Sequence, residues 1–315
     1  MGGASLRWGM TSVFLNGELL DRDDARVSAF DAGLQHGVGL FETMDATGPG
    51  GEGADAGAVS VRRIDEHLDR LSASAAELGL SEDVRTGPLA DAVRLVVAKS
   101  GLTRARVRLT LTGGDLNLLQ STGRSGHTPT VLIQAQPATP YPDEMFERGV
   151  GVTIGDARAN PLDPTSGHKT LNYWWRLREL QRAAAKGAGE AIVFQVTNHV
   201  CGGCVSNLFA VKDGTLVTPI ARGEESSEEG KVAMPSPVLP GITRAEIIES
   251  ASARGIGCGR RMLSIDDVLD ADEVFLTNSS WGVLPVVRVE AEAIGGGSVG
   301  EVTRSLREAW VDGAS

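Results

Sequence analysis

The chain has 315 residues, enough for two domains, and its 41 Asp and Glu outnumber its 30 Lys and Arg for a net charge of −11. This balance argues against a nucleic-acid partner, and no apolar run approaches the ~20 residues of a membrane-spanning helix. Three cysteines do not make a disulfide framework, and the N-terminal segment lacks the apolar stretch of a secretion signal, so we expect a cytoplasmic protein.

The first half of the chain predicts a mixture of strands and helices. The stretch SVFLNGELL reads as two strands around an Asn-Gly turn. Residues 63–79 predict a helix, because one apolar face recurs every three or four residues at Ile64, Leu68, Leu71, Ala75 and Leu78. A second helix, LADAVRLVVAKSG, ends at a glycine, and the alternating stretch ARVRLTLTGG predicts a strand that TVLIQAQ follows as another.

A proline-rich stretch, PATPYPDE at residues 137–144, predicts the boundary between two domains, 1–138 and 139–315, because it can continue neither a sheet nor a helix. The second half then predicts a strand at GVGVTIGDA, further strands, and a helix near residues 244–254. Between them we expect a helix over about residues 170–186, with a broad apolar side formed by Leu171, Trp174, Leu177, Leu180 and Ala184.

Four stretches carry a resemblance to a known family. They are FDAGLQHGVGLFET, HLDRL, GHKTLNYWW, and LPGITR with the later FLTNSSWGVLPV. In this order and spacing they resemble the class IV aminotransferase family, from about Val13 to Val289. The resemblance implies a two-domain α/β protein of PLP fold type IV, with a small N-terminal α+β domain and a larger C-terminal domain that carries a pseudo-barrel sheet. It also implies pyridoxal 5'-phosphate (PLP) between the domains, and a homodimer.

Lys169, in GHKTLNYWW, matches the family's Schiff-base lysine. PLP chemistry needs a primary amine for the Schiff base and a base that moves the proton at the substrate Cα, and one lysine can do both. Outside that context, a lysine just before a predicted helix would read as an ordinary surface residue.

The resemblance also assigns the phosphate of PLP to particular groups. Arg70 in HLDRL matches the arginine that meets the phosphate, and Ser279 matches a hydroxyl ligand. In LPGITR, the residues Gly241, Ile242 and Thr243 would present backbone N–H groups at a helix start, where an anion is favoured. Thr243 and Glu246 can alternatively be explained as a capping box without any ligand.

The remaining assignments concern the cofactor ring and the substrate pocket. Tyr173 would reach the phenolic oxygen of PLP, and His36 stands where many relatives carry a pocket aromatic residue, although a lone histidine can equally be a packed one. Relatives often bind the substrate carboxylate with an arginine just after the strand that ARVRLTLTGG resembles. Gly113 or Gly114 occupies that place here, so Arg106, Arg108 or another group must bind the carboxylate. The resemblance also places Ser280 in the substrate pocket.

The stretch NHVCGGCVSNLF departs from the family. Its alignment puts Gly202 where relatives have the glutamate that keeps the PLP ring nitrogen protonated, so we expect slower proton abstraction or an inactive site. Restoring Glu at 202 would raise the rate, unless Gly202 has a positive φ, in which case it would clash. The C-x-x-C spacing of Cys201 and Cys204 also fits zinc or redox chemistry, but only His199 offers a further ligand, and we predict no metal.

Three functions remain open. The first is a PLP enzyme that transaminates an amino acid or acts as a lyase on an aminodeoxychorismate-like substrate, through Lys169. The second is a catalytically impaired relative that binds PLP or another anion. The third is a thiol or metal protein that uses Cys201 and Cys204.

Overall fold

The computed structural model describes residues 12–50, 59–115, 128–225 and 234–313, so the N-terminal segment considered above lies outside it. The chain forms two compact units. The first contains the residues up to Thr139 together with Lys169–Asn172, and the second contains Pro140–His168 and the residues from Tyr173 onward. None of the helices in the described ranges is long and apolar enough to cross a membrane.

The first unit is built on a six-stranded antiparallel sheet. Its spatial order β2-β1-β6-β5-β3-β4 is made by β1 (Ser12–Leu15), β2 (Glu18–Asp21), β3 (Gly39–Thr47), β4 (Ser60–Val61), β5 (Arg104–Thr112) and β6 (Val131–Pro137). The helices are α1 (Ala32–His36), α2 (Ile64–Glu77) and α3 (Thr86–Ser100). The Asn-Gly turn joins β1 to β2 as predicted, with positive φ at Asn16 and Gly17.

The core of the first unit confirms the periodicity of its sequence. Ile64, Leu68, Leu71 and Ala75 of α2 are buried in a single cluster with α3 and the sheet. Val107, Leu109 and Leu111 of β5 belong to the same cluster. Burying these apolar faces is the main favourable term that holds α2 and α3 against the sheet.

The second unit contains a nine-stranded mixed sheet in the order β12-β11-β10-β13-β14-β7-β8-β9, with β15 paired to β14. Its strands are β7 (Val150–Ala159), β8 (Glu190–Gln195), β9 (Val200–Gly203), β10 (Asn207–Lys212), β11 (Thr215–Thr218), β12 (Cys258–Arg260), β13 (Glu273–Asn278), β14 (Gly282–Val289) and β15 (Glu292–Ala293). Its helices are α4 (Glu144–Glu147), α5 (Trp174–Ala185), α6 (Ile242–Ala253), α7 (Ile265–Leu269) and α8 (Glu301–Asp312). Every residue of β8 is buried, as is usual for a strand covered on both faces.

The prediction for the helix after Lys169 is wrong in its start and in its face. The helix α5 begins at Trp174, because the residues before it extend along a strand of the first unit. Trp174 is 83% exposed and Leu177 is 47% exposed, whereas Glu179 and Ala183 are the buried positions of α5. Trp174 and Leu177 of the predicted apolar side therefore face outward within this chain, whereas Leu180 packs against the core.

Candidate active site

Lys169 is held on the edge of β3. The backbone N–H of Phe41 donates to the carbonyl of Lys169 at 2.9 Å, and the N–H of Leu171 donates to the carbonyl of Gly39 at 2.9 Å. A Cβ at position 39 would lie 2.7 Å from the carbonyl oxygen of Leu111, so the close approach of β3 to β5 at this point requires a glycine. The Lys169 ammonium lies 4.5 Å from the centre of the Phe41 ring. Lys169 therefore lies in an extended segment. The helix that was predicted to start directly after it begins only at Trp174.

Arg70 is fixed by a buried carboxylate. Its Nε donates to Glu42 Oε1 at 2.9 Å and its Nη2 donates to Glu42 Oε2 at 2.6 Å, so the two side chains form a bidentate ion pair. His67, one helical turn before Arg70, places Nδ1 2.7 Å from Glu42 Oε2. The buried Glu42 side chain thus joins β3 to the HLDRL stretch of α2.

The electrostatics of this triad favour an ionised Glu42 and a neutral His67. Burial alone would raise the pKa of Glu42, but the Arg70 charge and the His67 hydrogen bond outweigh burial and lower that pKa to about 2. Burial lowers the pKa of His67, against the opposing effect of Glu42. Because an ionised carboxylate only accepts hydrogen bonds, the neutral His67 carries its proton on Nδ1 and donates it to Glu42.

The structure separates the three residues predicted for the substrate pocket of the first unit. The Arg108 guanidinium carbon lies 3.8 Å from the centre of the Phe41 ring, the same ring that Lys169 contacts. Arg106 instead donates to Gln136 Oε1 at 2.9 Å on an exposed part of the sheet. His36 ends α1 and is exposed, so it is not a packed core histidine. Arg108 is the residue that shares the surroundings of Lys169.

In the second unit, the start of α6 forms a cradle of backbone N–H groups. Gly241 is the N-cap residue, and none of the described side chains caps the helix there. The capping box considered for Thr243 and Glu246 is therefore wrong, because Thr243 already lies inside the helix. A side chain at Gly241 would overlap Asn207 Oδ1. The free amides of Ile242 and Thr243 and the helix dipole favour an anion at this place.

Two asparagines connect the cradle to its neighbours. Asn207 donates from Nδ2 to the carbonyl of Leu239 at 2.8 Å, which fixes the loop before α6. Asn278 donates from Nδ2 to the carbonyl of Val205 at 3.3 Å, and its Oδ1 accepts the N–H of Ser280 at 2.9 Å. The turn that carries Ser279 and Ser280, between β13 and β14, is thereby fixed to the turn after β9.

The Cys-Gly-Gly-Cys turn has no room for a carboxylate at position 202. Gly202 lies in β9 with a φ of 139°, and a Cβ there would stand 2.7 Å from the Ser206 carbonyl. Burial raises the pKa of Cys201 to about 12 and raises that of Cys204 as well. Reactive and metal-binding cysteines are thiolates, so both side chains have the character of structural thiols.

Tyr173 is the N-cap residue of α5 and contacts the guanidinium of Arg176. Arg176 in turn donates from Nη1 to the carbonyls of Cys204 and Gly203, at 3.2 and 3.5 Å. Tyr173 is thus linked, through Arg176, to the same turn that carries Gly202.

Four side chains that hold the candidate site residues or their loops in place were not identified as such from the sequence: Glu42, His67, Asn207 and Arg176. Glu42 and His67 lie inside the quoted motifs, and a charged residue in an otherwise apolar strand, as in GLFETM, is the signal that could have indicated Glu42. The position of Arg176 against the Cys-Gly-Gly-Cys turn carries no such signal, because it depends on the packing of α5.

The chain belongs to the class IV aminotransferase family, whose model matches residues 39–289. It is 31% identical over 301 residues to the branched-chain-amino-acid aminotransferase of Escherichia coli K12, covering 95% of this chain and 91% of that protein. A crystal structure of the Escherichia coli branched-chain amino acid aminotransferase superposes with a TM-score of 0.83 at 29% identity, over 98% of this chain and 96% of that one. The 4-amino-4-deoxychorismate lyase of Pseudomonas aeruginosa superposes with a TM-score of 0.75 at 27% identity, over 95% of this chain and 98% of that one.

These similarities confirm the predicted fold class, an enzyme, and PLP as the cofactor. The residues present fit PLP in most respects: the α6 cradle, which a Cβ at Gly241 would fill, suits the phosphate, and Lys169 supplies the amine. The ring nitrogen is the exception, because Gly202, at the place where the resemblance expects a carboxylate, has no side chain to offer it.

Proposed function

We propose that the protein is a PLP-dependent aminotransferase of an amino acid substrate, with Lys169 as the catalytic residue. The observation that carries this proposal is the fixed placement of Lys169 on β3, with Arg108 on the same Phe41 ring. Arg70 of α2 is held by Glu42 of the same strand. PLP, when bound, supplies an electron-withdrawing ring that stabilises negative charge at the substrate Cα.

Lys169 has two tasks in this proposal. Its Nζ would hold the cofactor covalently through the cofactor aldehyde. Once the substrate amine has displaced it, the same nitrogen, as a free amine, would take the proton from the substrate Cα and deliver it to the cofactor carbon that receives the amino group. The backbone hydrogen bonds of Lys169 and Leu171 to β3 hold the lysine in position for both tasks. A lysine held by two backbone contacts needs little reorganisation between the steps.

The phosphate is bound by charge and by oriented amides. We assign this role to Arg70, to the amides of Ile242 and Thr243 after Gly241, and to the Ser279 hydroxyl. Glu42 and His67 do not touch the phosphate in this assignment; they hold Arg70 in place before the phosphate binds. A mobile arginine would have to give up rotamer entropy on binding, and this cost is avoided here. Tyr173 would contact the phenolic oxygen of the cofactor ring.

Arg108 is the preferred ligand for the substrate carboxylate. It lies on the face of β5 that also presents Thr110, and it shares the Phe41 ring with Lys169, whereas Arg106 is engaged with Gln136. An arginine can bind a carboxylate through two parallel hydrogen bonds, which orients the substrate as well as attracting it. His36 and Ser280 remain candidates for contacts to the rest of the substrate.

The second candidate reaction is that of a lyase on an aminodeoxychorismate-like substrate. The observation in its favour is the superposition on 4-amino-4-deoxychorismate lyase over 95% of this chain. The same Lys169 would serve both reactions, so the product distinguishes them. The aminotransferase would convert its substrate into the keto acid of the same carbon skeleton, whereas the lyase would cleave its substrate and release pyruvate.

The outward-facing apolar side of α5 supports a homodimer. Trp174 is 83% exposed and Leu177 is 47% exposed within the single chain. We propose that a second copy covers this side, since large exposed apolar side chains mark association surfaces. Sedimentation at micromolar concentration should give a dimer, and Trp174→Ser should shift it toward monomer; a monomeric wild type would contradict the proposal.

Borohydride trapping tests the function. The PLP-loaded wild type should be bleached and should carry one reduced cofactor, which peptide mass spectrometry should place on Lys169. Lys169→Ala should fold, retain no trapped cofactor and lose turnover, while the exposed Lys186→Ala should behave as wild type. Trapping on another residue would overturn the assignment, and trapping without turnover of any amino donor would indicate the catalytically impaired relative.

A further inference from the structure

Arg176 places a positive charge at the turn where the family resemblance leads us to expect a glutamate. Its guanidinium is half-buried, lies 4.4 Å from the centre of the Trp175 ring, and donates from Nη1 to the carbonyls of Cys204 and Gly203. These two carbonyls directly follow Gly202 in the chain. The cation therefore stands beside the position from which the glutamate is missing.

The geometry of α5 explains why the side chain reaches this place. Arg176 follows the N-cap residue Tyr173 by three positions, and residues three apart on a helix are neighbours on one side. The Arg176 guanidinium carbon is 5.8 Å from the centre of the Tyr173 ring. A group that contacts both Tyr173 and the turn after β9 would thus also meet Arg176.

Most of the donor capacity of Arg176 is unused within the described part of the chain. An arginine has five N–H donors, and both hydrogen bonds found here leave from Nη1. Among the described residues, none of the carboxylates forms an ion pair with Arg176. The nearest buried carboxylate at this turn, Glu190, is instead engaged by the N–H groups of Ala191, Cys204 and Val205 and by the Ser206 hydroxyl.

The backbone of the turn excludes the arrangement found in relatives. At a φ of 139°, a side chain on Gly202 would be strained and would press against the Ser206 carbonyl. Cys201 and Cys204 are buried, and neutral thiols are weak hydrogen-bond donors. Arg176 is therefore the strong donor that the turn offers to a ligand.

We propose that Arg176 donates a hydrogen bond to the pyridine nitrogen of PLP, in the place of the missing glutamate, and that the ring nitrogen stays unprotonated. This inference rests on the proposed function. Arginine side chains keep their proton in proteins, so the ring nitrogen must accept with its lone pair. A neighbouring cation also disfavours a second positive charge on the ring.

The consequence is a weaker electron-withdrawing ring. A neutral ring stabilises the negative charge at Cα less than a protonated ring does. The activation free energy for removal of the Cα proton by Lys169 is therefore higher. Gly202 by itself would leave the ring nitrogen without a partner, and Arg176 would supply one of positive charge.

Nuclear magnetic resonance of the full-length protein, loaded with PLP isotopically labelled at the ring nitrogen, tests the proposal. The wild type should show the chemical shift of an unprotonated pyridine nitrogen. Arg176→Glu should move it to the protonated position, and Arg176→Gln should weaken PLP binding about tenfold, the equivalent of ~1.4 kcal/mol. Arg178→Gln, an exposed arginine on the same helix, is the matched control and should change neither quantity.

The test does not depend on the folding of Arg176→Glu, because the chemical shift of the ring nitrogen in the wild type already shows whether that nitrogen is protonated. A protonated nitrogen in wild type that carries PLP on Lys169 overturns the role of Arg176 and leaves the proposed function standing. An unprotonated signal that does not respond to Arg176→Gln or Arg176→Lys also overturns it. A wild type on which borohydride traps no PLP overturns both proposals.

Discussion

Two buried glutamates, one in each unit, show how surroundings decide the charge of the same side chain. Glu42 accepts hydrogen bonds from Arg70 and His67, and although burial opposes ionisation, these partners lower its pKa to about 2. Glu190 accepts mainly backbone N–H groups, and burial, the dominant effect, raises its pKa. A nearby cation therefore matters more than the number of hydrogen bonds, because it compensates the charge that burial leaves unsolvated.

Arg70 and Arg176 show a similar contrast, each within its own unit. The first unit builds Arg70 into a neutralised ion pair and so holds it rigid. The turn of the second unit leaves Arg176 without an ion pair among the described residues, available for a ligand. The ion pair of Arg70 stabilises the fold, whereas the charge of Arg176 could still form an ion pair or a hydrogen bond with a ligand.

The largest effect should come from removing the charge of Glu42. Glu42→Gln leaves Arg70 buried against a neutral amide, so we expect the free energy of unfolding at pH 7 to fall by about 3 kcal/mol. Urea unfolding measures this, and PLP affinity should fall with it. Glu66→Gln, on the exposed side of α2, is the control and should cost less than about 0.5 kcal/mol. Equal effects of the two substitutions would show that Glu42 is not a buried ion-pair partner.

The stability of the wild type should depend on pH through the same residue. A carboxyl whose pKa is lower in the folded than in the unfolded chain stabilises the fold above its ordinary pKa and loses that contribution as the pH falls to its folded value. For Glu42 this window runs from 4.5 down to about 2. The difference between wild type and Glu42→Gln should shrink by about 3 kcal/mol across it. A pH-independent difference would contradict the ion pair.

Gly202→Glu should come next in size and should not rescue activity. The positive φ and the contact with the Ser206 carbonyl predict a loss of about 1–3 kcal/mol in the free energy of unfolding, and any carboxylate that fits would pair with Arg176. Gly255→Ala, at a positive φ with open space around it, is the control for backbone strain alone and should cost about 1 kcal/mol. A folded Gly202→Glu with a raised turnover rate would refute this reading of the turn.

Glu190→Gln should have the smallest effect, within about 1 kcal/mol at pH 7. The amide oxygen keeps two of the four donors that the carboxyl group accepts, and removing a buried ionisable group offsets the loss of the other two. The sign of its pH dependence is opposite to that of Glu42. A carboxyl whose pKa is raised by folding costs stability as the pH rises above its ordinary value of 4.5. The variant should therefore gain on wild type with rising pH in the same urea titration, and a growing deficit would indicate a hidden cation partner.

Much of the fold could be predicted from the sequence because it depends on local patterns. The heptad-like spacing from Ile64 to Ala75 and the alternation in β5 each bury one face, and both were readable without a structure. The helix after Lys169 was not, since Trp174 and Leu177 of its predicted apolar side remain exposed while Leu180 packs against the core. A periodic pattern indicates that a face is covered, but it does not say whether the same chain covers it.

The sequence by itself determined the family, the cofactor, and the identity of Lys169, Arg70 and Gly202 as residues to examine, because these depend on side-chain chemistry in short motifs. Only the tertiary structure decided that Lys169 is bonded to β3, that Glu42 holds Arg70, and that Gly202 has a conformation closed to glutamate. It also brought Arg176 to the turn, a contact between positions far apart in the chain. Such contacts arise when helices and strands pack, and spacing along one segment does not encode them.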